Sequence, residues 1–180
     1  MTSEALWRSV GGVTAYVSAF ELFSIGVGPS SSHTVGPLRA GRDFAARIHA
    51  LPGLARVTCA LYGSLGATGI GHGTPDAVVA GLQGHEPETV DPDLVRGAWA
   101  DWEDGASLLV AGERPVSFAR ADIAFEPRTR LPGHPNALTL RAWGRDAAGG
   151  RSPPSTRAVM ARRRQATPAA ASAACISPAR

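Results

Sequence analysis

The sequence predicts an α+β domain in which helices pack against a small mixed sheet. Two observations support this fold class. Helical patterns lie in the first half of the chain and short strand-like runs lie in the second, which is unlike the regular alternation of a parallel α/β fold. Glycine and proline also stand at the ends of most runs, where they mark turns. With 180 residues and 44% hydrophobic residues, the chain is long enough for one domain with an additional segment.

The first predicted helix begins at about Pro37. Proline suits the first helical turn because an N–H group there would have no partner within the helix. The apolar residues after it fall on one helical face, and the charged residues fall on the other. The apolar face consists of Leu38, Gly41, Phe44, Ala45, Ile48 and Leu51, and the charged face of Arg39, Asp43 and Arg47. This pattern predicts an amphipathic helix packed on the core.

The remaining elements follow from turn and cap signals. A turn at Pro52-Gly53 precedes a predicted strand over 55–62. Thr74 as N-cap and Pro75 at the next position begin a helix that Gly84 ends. Asp91 begins another helix, which we expect to run to Gly105. Short strands are predicted near 107–110, 115–118, 121–126 and 137–143.

The charge distribution argues against a nucleic-acid-binding domain. Every one of the 18 basic residues is Arg, and residues 1–150 hold 12 of them against 15 acidic residues. The predicted domain is therefore mildly acidic. The sequence contains no run of about 20 apolar residues, and its start lacks the basic flank and apolar run of a signal peptide. We therefore expect a cytoplasmic protein without a membrane span.

Both ends of the chain differ from the part between them. Residues 149–180 contain six Arg, no acidic residue and much Ala, Pro and Ser, a composition that does not bury enough apolar surface to fold. We expect either a disordered basic tail or the product of a shifted reading frame in a GC-rich gene. Residues 1–12 are predicted to be a non-native or disordered extension, which leaves a domain at 13–148.

The first cluster of candidate functional residues is Ser30, Ser31, Ser32, His33 and Thr34, directly before the first helix. A helix start presents unpaired N–H groups and a partial positive charge, so these hydroxyls and the imidazole suit a carboxylate or a phosphate. Two alternatives remain open. One hydroxyl could simply cap the helix, or a serine and His33 could form a nucleophilic pair, although no GxSxG motif is present.

The second and third clusters each hold a histidine in a stretch of glycine or proline. His72 stands between Gly71 and Gly73, and these glycines would let a ligand approach the backbone closely. His134 stands in "LPGHPNAL", between two turn signals. The alternative in both cases is a surface turn with a solvated histidine. Together, three histidines on turns predict a pocket assembled from loops.

Four stretches, in this order, resemble a known family. They are "SAFELFSIGVGPSSSHTVGP" (18–37), "LYGSLGATGIGHGT" (61–74), "PETVDPD" (87–93) and "LPGHPNAL" (131–138). They resemble the β domain of iron–sulfur-dependent L-serine dehydratase, also called L-serine ammonia-lyase. The resemblance covers about residues 13–148.

This resemblance implies an activity and a partner. Members convert L-serine to pyruvate and ammonia with a [4Fe–4S] cluster in an α domain, which is either C-terminal or on another subunit. Cys59 and Cys175 do not supply its ligands, so none of the metal ligands is expected in this chain, which alone should be inactive. The full enzyme is expected to be a homo-oligomer. The fold should resemble the allosteric substrate-binding domain of phosphoglycerate dehydrogenase. The alternatives are a non-catalytic L-serine-sensing or regulatory module and a purely structural β subunit.

The resemblance also implies roles for site residues. His72 would be the base for the α-proton, with His33 and His134 as further catalytic candidates. Substrate would contact the remaining polar residues of the three clusters, which are Ser30, Ser31, Ser32, Thr34, Thr74 and Asn136. The sequence departs from the family pattern at Pro75-Asp76, where members usually carry Asp and a basic residue.

Overall fold

The computed structural model describes residues 27–103, 105–132 and 134–145, and the backbone of residues 156–160. The predicted extension at 1–12 and most of the predicted tail therefore lie outside the described residues, as does the first part of the stretch 18–37. The boundaries of the domain at 13–148 stay a prediction.

The first helix, α1, spans Val35–Ile48 and confirms the predicted amphipathic pattern. Leu38, Phe44, Ala45 and Ile48 are buried on its inner face. Gly41 is buried there as well. Because it has no side chain, α1 lies close to the helix at Thr74–Leu82, which we call α3. The apolar face of α1 thus packs on the core, as its sequence pattern indicated.

The described strands form one mixed sheet, as the sequence predicted, but with six strands instead of the five that it indicated. They are β1 (Leu54–Tyr62), β2 (Ser107–Val110), β3 (Arg114–Ser117), β4 (Ile123–Glu126), β5 (Asn136–Gly144) and β6 (Thr156–Met160). The order is β2-β3-β1-β5-β6, and β4 also pairs with β1. β1 is parallel to β3 and β4 and antiparallel to β5.

The core lies between the sheet and the helices on it. β1 contributes Val57, Cys59 and Leu61, whose alternation fits a strand with one buried face, and also Leu54, which precedes a register shift in the pairing with β5. β5 contributes Leu138 and Leu140 from the neighbouring strand. The end of β1 at Tyr62 is the position from which the chain enters the second candidate cluster, so the core fixes where that cluster begins.

The stretch after β1 was predicted as a glycine-rich turn, and this prediction is wrong in part. Residues Gly63–Thr68 form a short helix, α2, and Ile70–His72 form a turn of 3-10 helix. Two glycines weaken the helical propensity of this stretch, but Gly66 packs closely on the rest of the fold. A Cβ atom there would lie 2.7 Å from the Leu61 carbonyl oxygen and 2.9 Å from the Pro127 nitrogen.

Two predicted helix boundaries need correction. Thr74 is not an N-cap: it is the first residue of α3 (Thr74–Leu82), and Gly73, with φ at +69°, is the cap. Thr74 lies fully buried at the start of α3. The next helix, α4, is capped by Asp91 as predicted but ends at Val95 instead of continuing to Gly105. The chain leaves the helical conformation at Arg96, which is extended with φ at −66° and ψ at 122°, and turns at Gly97, whose φ is +81°.

The strand β6 lies inside the segment for which the sequence predicted disorder. It pairs antiparallel with β5 from Leu138↔Met160 to Ala142↔Thr156. These five residues contain no Gly or Pro, unlike the sequence around them, and β5 offers an open edge for backbone hydrogen bonds. The structure thus differs from the prediction at 156–160. No helix within the described residues is both long and apolar enough to cross a bilayer.

Candidate functional site

His33 is the centre of a hydroxyl cluster that joins the first candidate stretch to α2. Its Nδ1 atom lies 3.1 Å from the hydroxyl of Ser32 and 3.3 Å from that of Ser30. Its Nε2 atom lies 3.1 Å from the Thr68 hydroxyl and 3.3 Å from the Ser64 hydroxyl. Only 8% of the residue is exposed. Both ring nitrogens therefore have hydrogen-bond partners, as buried polar groups normally do.

The hydroxyls of this stretch do not cap α1. Thr34 holds the cap position, yet it makes no side-chain cap hydrogen bond, and its hydroxyl donates to the Ser30 carbonyl at 2.8 Å. The Gly36 N–H donates to the carbonyl of Ser31, a residue whose side chain is exposed. The simple capping interpretation is therefore wrong for these described atoms. The serine hydroxyls instead surround the imidazole of His33.

His72 stands beside His33, as the prediction of a shared pocket requires. The two ring centroids are 4.6 Å apart and the rings are tilted by 33°. The His72 Nδ1 atom lies 2.9 Å from the Thr68 carbonyl oxygen. Because a carbonyl oxygen only accepts, Nδ1 must carry the proton and donate it. In the neutral ring this leaves the lone pair on Nε2, the atom that a general base uses.

A cleft of about 330 Å³ opens beside His72. It brings together parts of the first two clusters and of α4, and Asp76 and Arg96 are the formally charged residues among its described lining. Gly71 also lines it, and a Cβ atom at Gly71 would meet nothing within 4 Å. The space there is consistent with the predicted close approach of a ligand. A groove of about 620 Å³ at the opposite end of β1 has no histidine among its described lining.

The third cluster lies next to the first two but does not contact them through the His134 side chain in the described residues. His134 is exposed, and its Nδ1 accepts a hydrogen bond of 3.0 Å from the Asn136 N–H. The same loop reaches α2 through its backbone, because the Ser64 N–H donates to the Pro135 carbonyl at 3.3 Å. The structure thus brings the loop, but not the imidazole, to the edge of the site.

Thr74 does not reach the His33–His72 pair with its hydroxyl. Its Oγ1 atom is buried and has no hydrogen-bond partner among the described residues. Its place beneath the glycine-rich turn is structural, since its N–H donates to the Gly69 carbonyl at 2.8 Å.

Sequence reasoning missed Ser64 and Thr68, which contact His33 from α2. The signal that could have found them is spacing, because Ser64, Thr68 and His72 are each four residues apart and so fall on one side of a helical stretch. The glycines in the same stretch indicate a turn and so obscure this helical spacing. The Thr68 hydroxyl donates to the Ser64 carbonyl at 3.0 Å, as this spacing allows.

The electrostatics of the pair favour a neutral His33. Burial of the ring, and next the positive charge that His72 would carry beside it, lower the pKa of His33, and a hydrogen bond with the backbone of Ser64 opposes this lowering. Two imidazolium rings at this separation would repel each other. The site therefore holds at least one neutral imidazole near pH 7.

The described residues do not provide ligands for an iron–sulfur cluster. No three His, Cys, Asp or Glu side chains in this part of the chain are grouped as metal ligands. Cys59 points into the core, where burial raises the pKa of its thiol, while cluster ligands are thiolates. The described residues thus do not fit as ligands of such a cluster.

Comparison with known proteins gives a consistent match. The family model described as "Serine dehydratase beta chain" matches residues 18–152. An L-serine dehydratase of Streptomyces coelicolor is 47% identical over 137 residues, which cover 74% of this chain. An L-serine dehydratase of Mycobacterium bovis and L-serine dehydratase 1 of Escherichia coli are each 41% identical, over 71% and 72% of the chain.

The match covers most of this chain but a much smaller share of each relative's length. The aligned part spans 30% of the Streptomyces coelicolor and Escherichia coli proteins and 28% of the Mycobacterium bovis protein. The matched region contains all three candidate clusters.

Proposed function

The chain belongs to the serine dehydratase beta chain family, and on that premise we propose that it forms the β part of an L-serine ammonia-lyase. The reaction removes the α-proton and the β-hydroxyl of L-serine as water, and the resulting aminoacrylate is hydrolysed to pyruvate and ammonia. The observation that carries the proposal is the orientation of His72. Its Nδ1–H is committed to the Thr68 carbonyl, so the Nε2 lone pair is left to take the α-proton.

The neighbouring residues would orient the substrate around this base. His33 packs on His72, and in its neutral form it places no second positive charge beside that ring. Ser30 and Ser32 lie on one side of His33, and the cleft beside His72 carries one acidic and one basic side chain, Asp76 and Arg96. A zwitterionic amino acid needs partners of both signs. Ser31, Thr34 and Asn136 stay proposed contacts, and His134 stays a proposed catalytic residue at the edge of the site.

The cluster, the partner and the location are proposals that rest on the family. We propose that a [4Fe–4S] cluster on an α domain or subunit supplies the Lewis acid for the hydroxyl when it is bound. On this proposal the complete enzyme is a homo-oligomer in the cytoplasm, and this chain alone is inactive. The α+β fold with helices on a mixed sheet supports, as a further proposal, a likeness to the allosteric substrate-binding domain of phosphoglycerate dehydrogenase.

A chimera tests the proposed activity. Residues 18–152 would replace the matching segment of the Streptomyces coelicolor L-serine dehydratase, and serine-dependent pyruvate would be measured anaerobically. We expect activity, and we expect His72→Gln in the chimera to lower kcat by about 10²–10⁴-fold, the usual contribution of a general base. His49→Gln is the matched control, because His49 follows the other end of α1 and its side chain bonds only to the Ala46 carbonyl among the described residues.

Calorimetry on the 180-residue chain separates the alternatives. Heat of binding with L-serine but not with D-serine, together with an inactive chimera, would favour a non-catalytic serine-sensing module. An inactive chimera and no binding would favour a structural β subunit. A His72→Gln chimera that keeps more than about a tenth of the activity would assign the base to another residue, in contradiction of the proposal.

A further inference from the structure

Thr68 contacts both histidines of the site with different atoms. Its hydroxyl lies 3.1 Å from Nε2 of His33, and its carbonyl oxygen lies 2.9 Å from Nδ1 of His72. The residue is exposed and lies at the end of α2, so burial in the core does not explain its position. Its two contacts bear directly on where each imidazole carries its proton.

The direction of the His33 bond follows from the other bond that the Thr68 hydroxyl makes. A hydroxyl has one proton, and that of Thr68 is directed to the Ser64 carbonyl at 3.0 Å. Towards His33 the Thr68 oxygen therefore accepts, and Nε2 of His33 donates. Neutral His33 is thus protonated at Nε2, whereas neutral His72 is protonated at Nδ1.

This assignment also orients the serine hydroxyls on the other side of His33. With its proton on Nε2, His33 has a lone pair on Nδ1, which accepts from Ser32 at 3.1 Å or from Ser30 at 3.3 Å. The two serine oxygens are 3.2 Å apart, so Ser30 can donate to Ser32 while Ser32 donates to His33. Both hydroxyl protons then point inward, and the oxygen lone pairs remain for a ligand.

We propose that Thr68 is a positioning residue that fixes complementary tautomers in the two histidines: its hydroxyl holds His33 as the Nε2–H form, and its carbonyl holds His72 as the Nδ1–H form. The use of the His72 lone pair as a base rests on the proposed function, whereas the tautomers do not. A consequence is that Ser30 and Ser32 receive a hydrogen-bond donor, such as the substrate ammonium group, and do not bind the carboxylate. This differs from the sequence-based expectation that these hydroxyls bind an anion.

The test is a long-range ¹H–¹⁵N spectrum of the histidine rings in the ¹⁵N-labelled 180-residue chain at about pH 8, without serine. The ring nitrogen shifts distinguish a protonated from an unprotonated nitrogen, and His33→Gln and His72→Gln identify the signals. We expect the Nε2–H form for His33 and the Nδ1–H form for His72. The opposite tautomer for either ring in the unmutated chain would overturn the proposal without any further variant.

Substitutions separate the hydroxyl from the carbonyl. Thr68→Val removes the hydroxyl but keeps the β-branched shape and the backbone carbonyl, so His33 should gain a substantial Nδ1–H population while His72 stays unchanged. Adding Ser64→Ala removes the second acceptor and should complete the change at His33. Thr68→Ser should restore the original spectrum. If Thr68→Val with Ser64→Ala leaves His33 as the Nε2–H form, Thr68 does not set the tautomer.

A matched control comes from another threonine. Thr139 lies buried in β5, and its hydroxyl has no partner among the described residues. Thr139→Val makes the same chemical change away from the site and should leave both histidine tautomers as they are. An equal change at His33 in this variant would show that the effect of Thr68→Val is not specific. Because no step requires serine or catalysis, the result stands apart from the proposed activity.

Discussion

Replacing Gly81 by alanine tests whether the contact between α1 and α3 holds the site together. α1 begins two residues after His33, and α3 begins two residues after His72. The helices meet at two glycines. A Cβ atom at Gly81 would overlap the Leu38 carbonyl oxygen and lie 2.9 Å from its carbonyl carbon, and one at Gly41 would lie 2.7 Å from the Val78 carbonyl oxygen.

The expected loss of stability follows from these distances. An ordinary carbon–carbon contact is about 3.5–4.0 Å, and the atoms in the way belong to the α1 backbone, so no side-chain rotation relieves the overlap. Overpacking of this kind costs about 1–3 kcal/mol. Alanine recovers up to about 1 kcal/mol over glycine in a helix. Because an overlap with backbone atoms puts the cost in the upper part of this range, about 2–3 kcal/mol, we expect the free energy of unfolding to fall by about 1–2 kcal/mol, or Tm by roughly 3–8 °C for a domain of this size.

The assay is thermal and urea unfolding followed by circular dichroism. Gly36→Ala is the matched control in α1, because its Cβ atom would lie no closer than 3.8 Å to any other group, the Ser31 carbonyl oxygen. That variant should keep its Tm or gain slightly. The histidine signals of the site should shift in Gly81→Ala and not in Gly36→Ala. A Gly81→Ala chain that melts at or above the wild-type temperature would refute the reasoning.

Two further predictions concern charged groups of the site. Because the folded pKa of His33 lies below the value of about 6.5 in the unfolded chain, the free energy of unfolding should fall as the pH drops below about 6.5, where the unfolded chain binds a proton that folded His33 resists. Urea titrations from pH 8 to 5 should show a shallower fall in His33→Gln, and equal slopes would contradict this. Asp76 accepts the Trp99 and Ala100 N–H groups at 2.8 and 3.0 Å, so Asp76→Ala should lower the free energy of unfolding by about 2–3 kcal/mol. Asp76→Asn retains an acceptor oxygen, so its free energy of unfolding should fall much less. The urea unfolding midpoints of the two variants measure this difference.

The sequence predicted those elements whose local signals agree with their packing. The α1 face, the strand at 54–62 and the Asp91 cap all rest on periodicity or on capping, and the structure confirms them. α2 was missed because Gly63 and Gly66 are poor helix formers, and it is the contact of Gly66 with the turn at Pro127 that favours the helix. Long-range packing of this kind has no signature in a single sequence.

The predicted length of α4 was wrong for a related reason. The residues after Val95 suit a helix by composition, but the chain turns at Gly97. The carboxylate of Asp76, which is far away in sequence, accepts hydrogen bonds from the N–H groups of Trp99 and Ala100. For the candidate site, glycine, proline and hydroxyl patterns identified the three clusters. They did not indicate that His33 and His72 stack, since that depends on how α1 and α3 pack.

The geometry of the histidine pair is thus a property of the fold and not of the two loops alone. Each imidazole belongs to a short turn, and short turns rarely hold a side chain precisely enough for proton transfer unless rigid elements support them. Here α1 and α3 are in close contact at Gly41 and Gly81, and α2 supplies Thr68, which contacts both imidazoles. Because the Thr68 carbonyl orients His72, this ring should keep its Nδ1–H tautomer in every variant that leaves α2 in place. Loss of activity without loss of the Nδ1–H form of His72 would therefore locate the defect in substrate binding, whereas loss of both would show that α2 no longer holds the Thr68 carbonyl against His72.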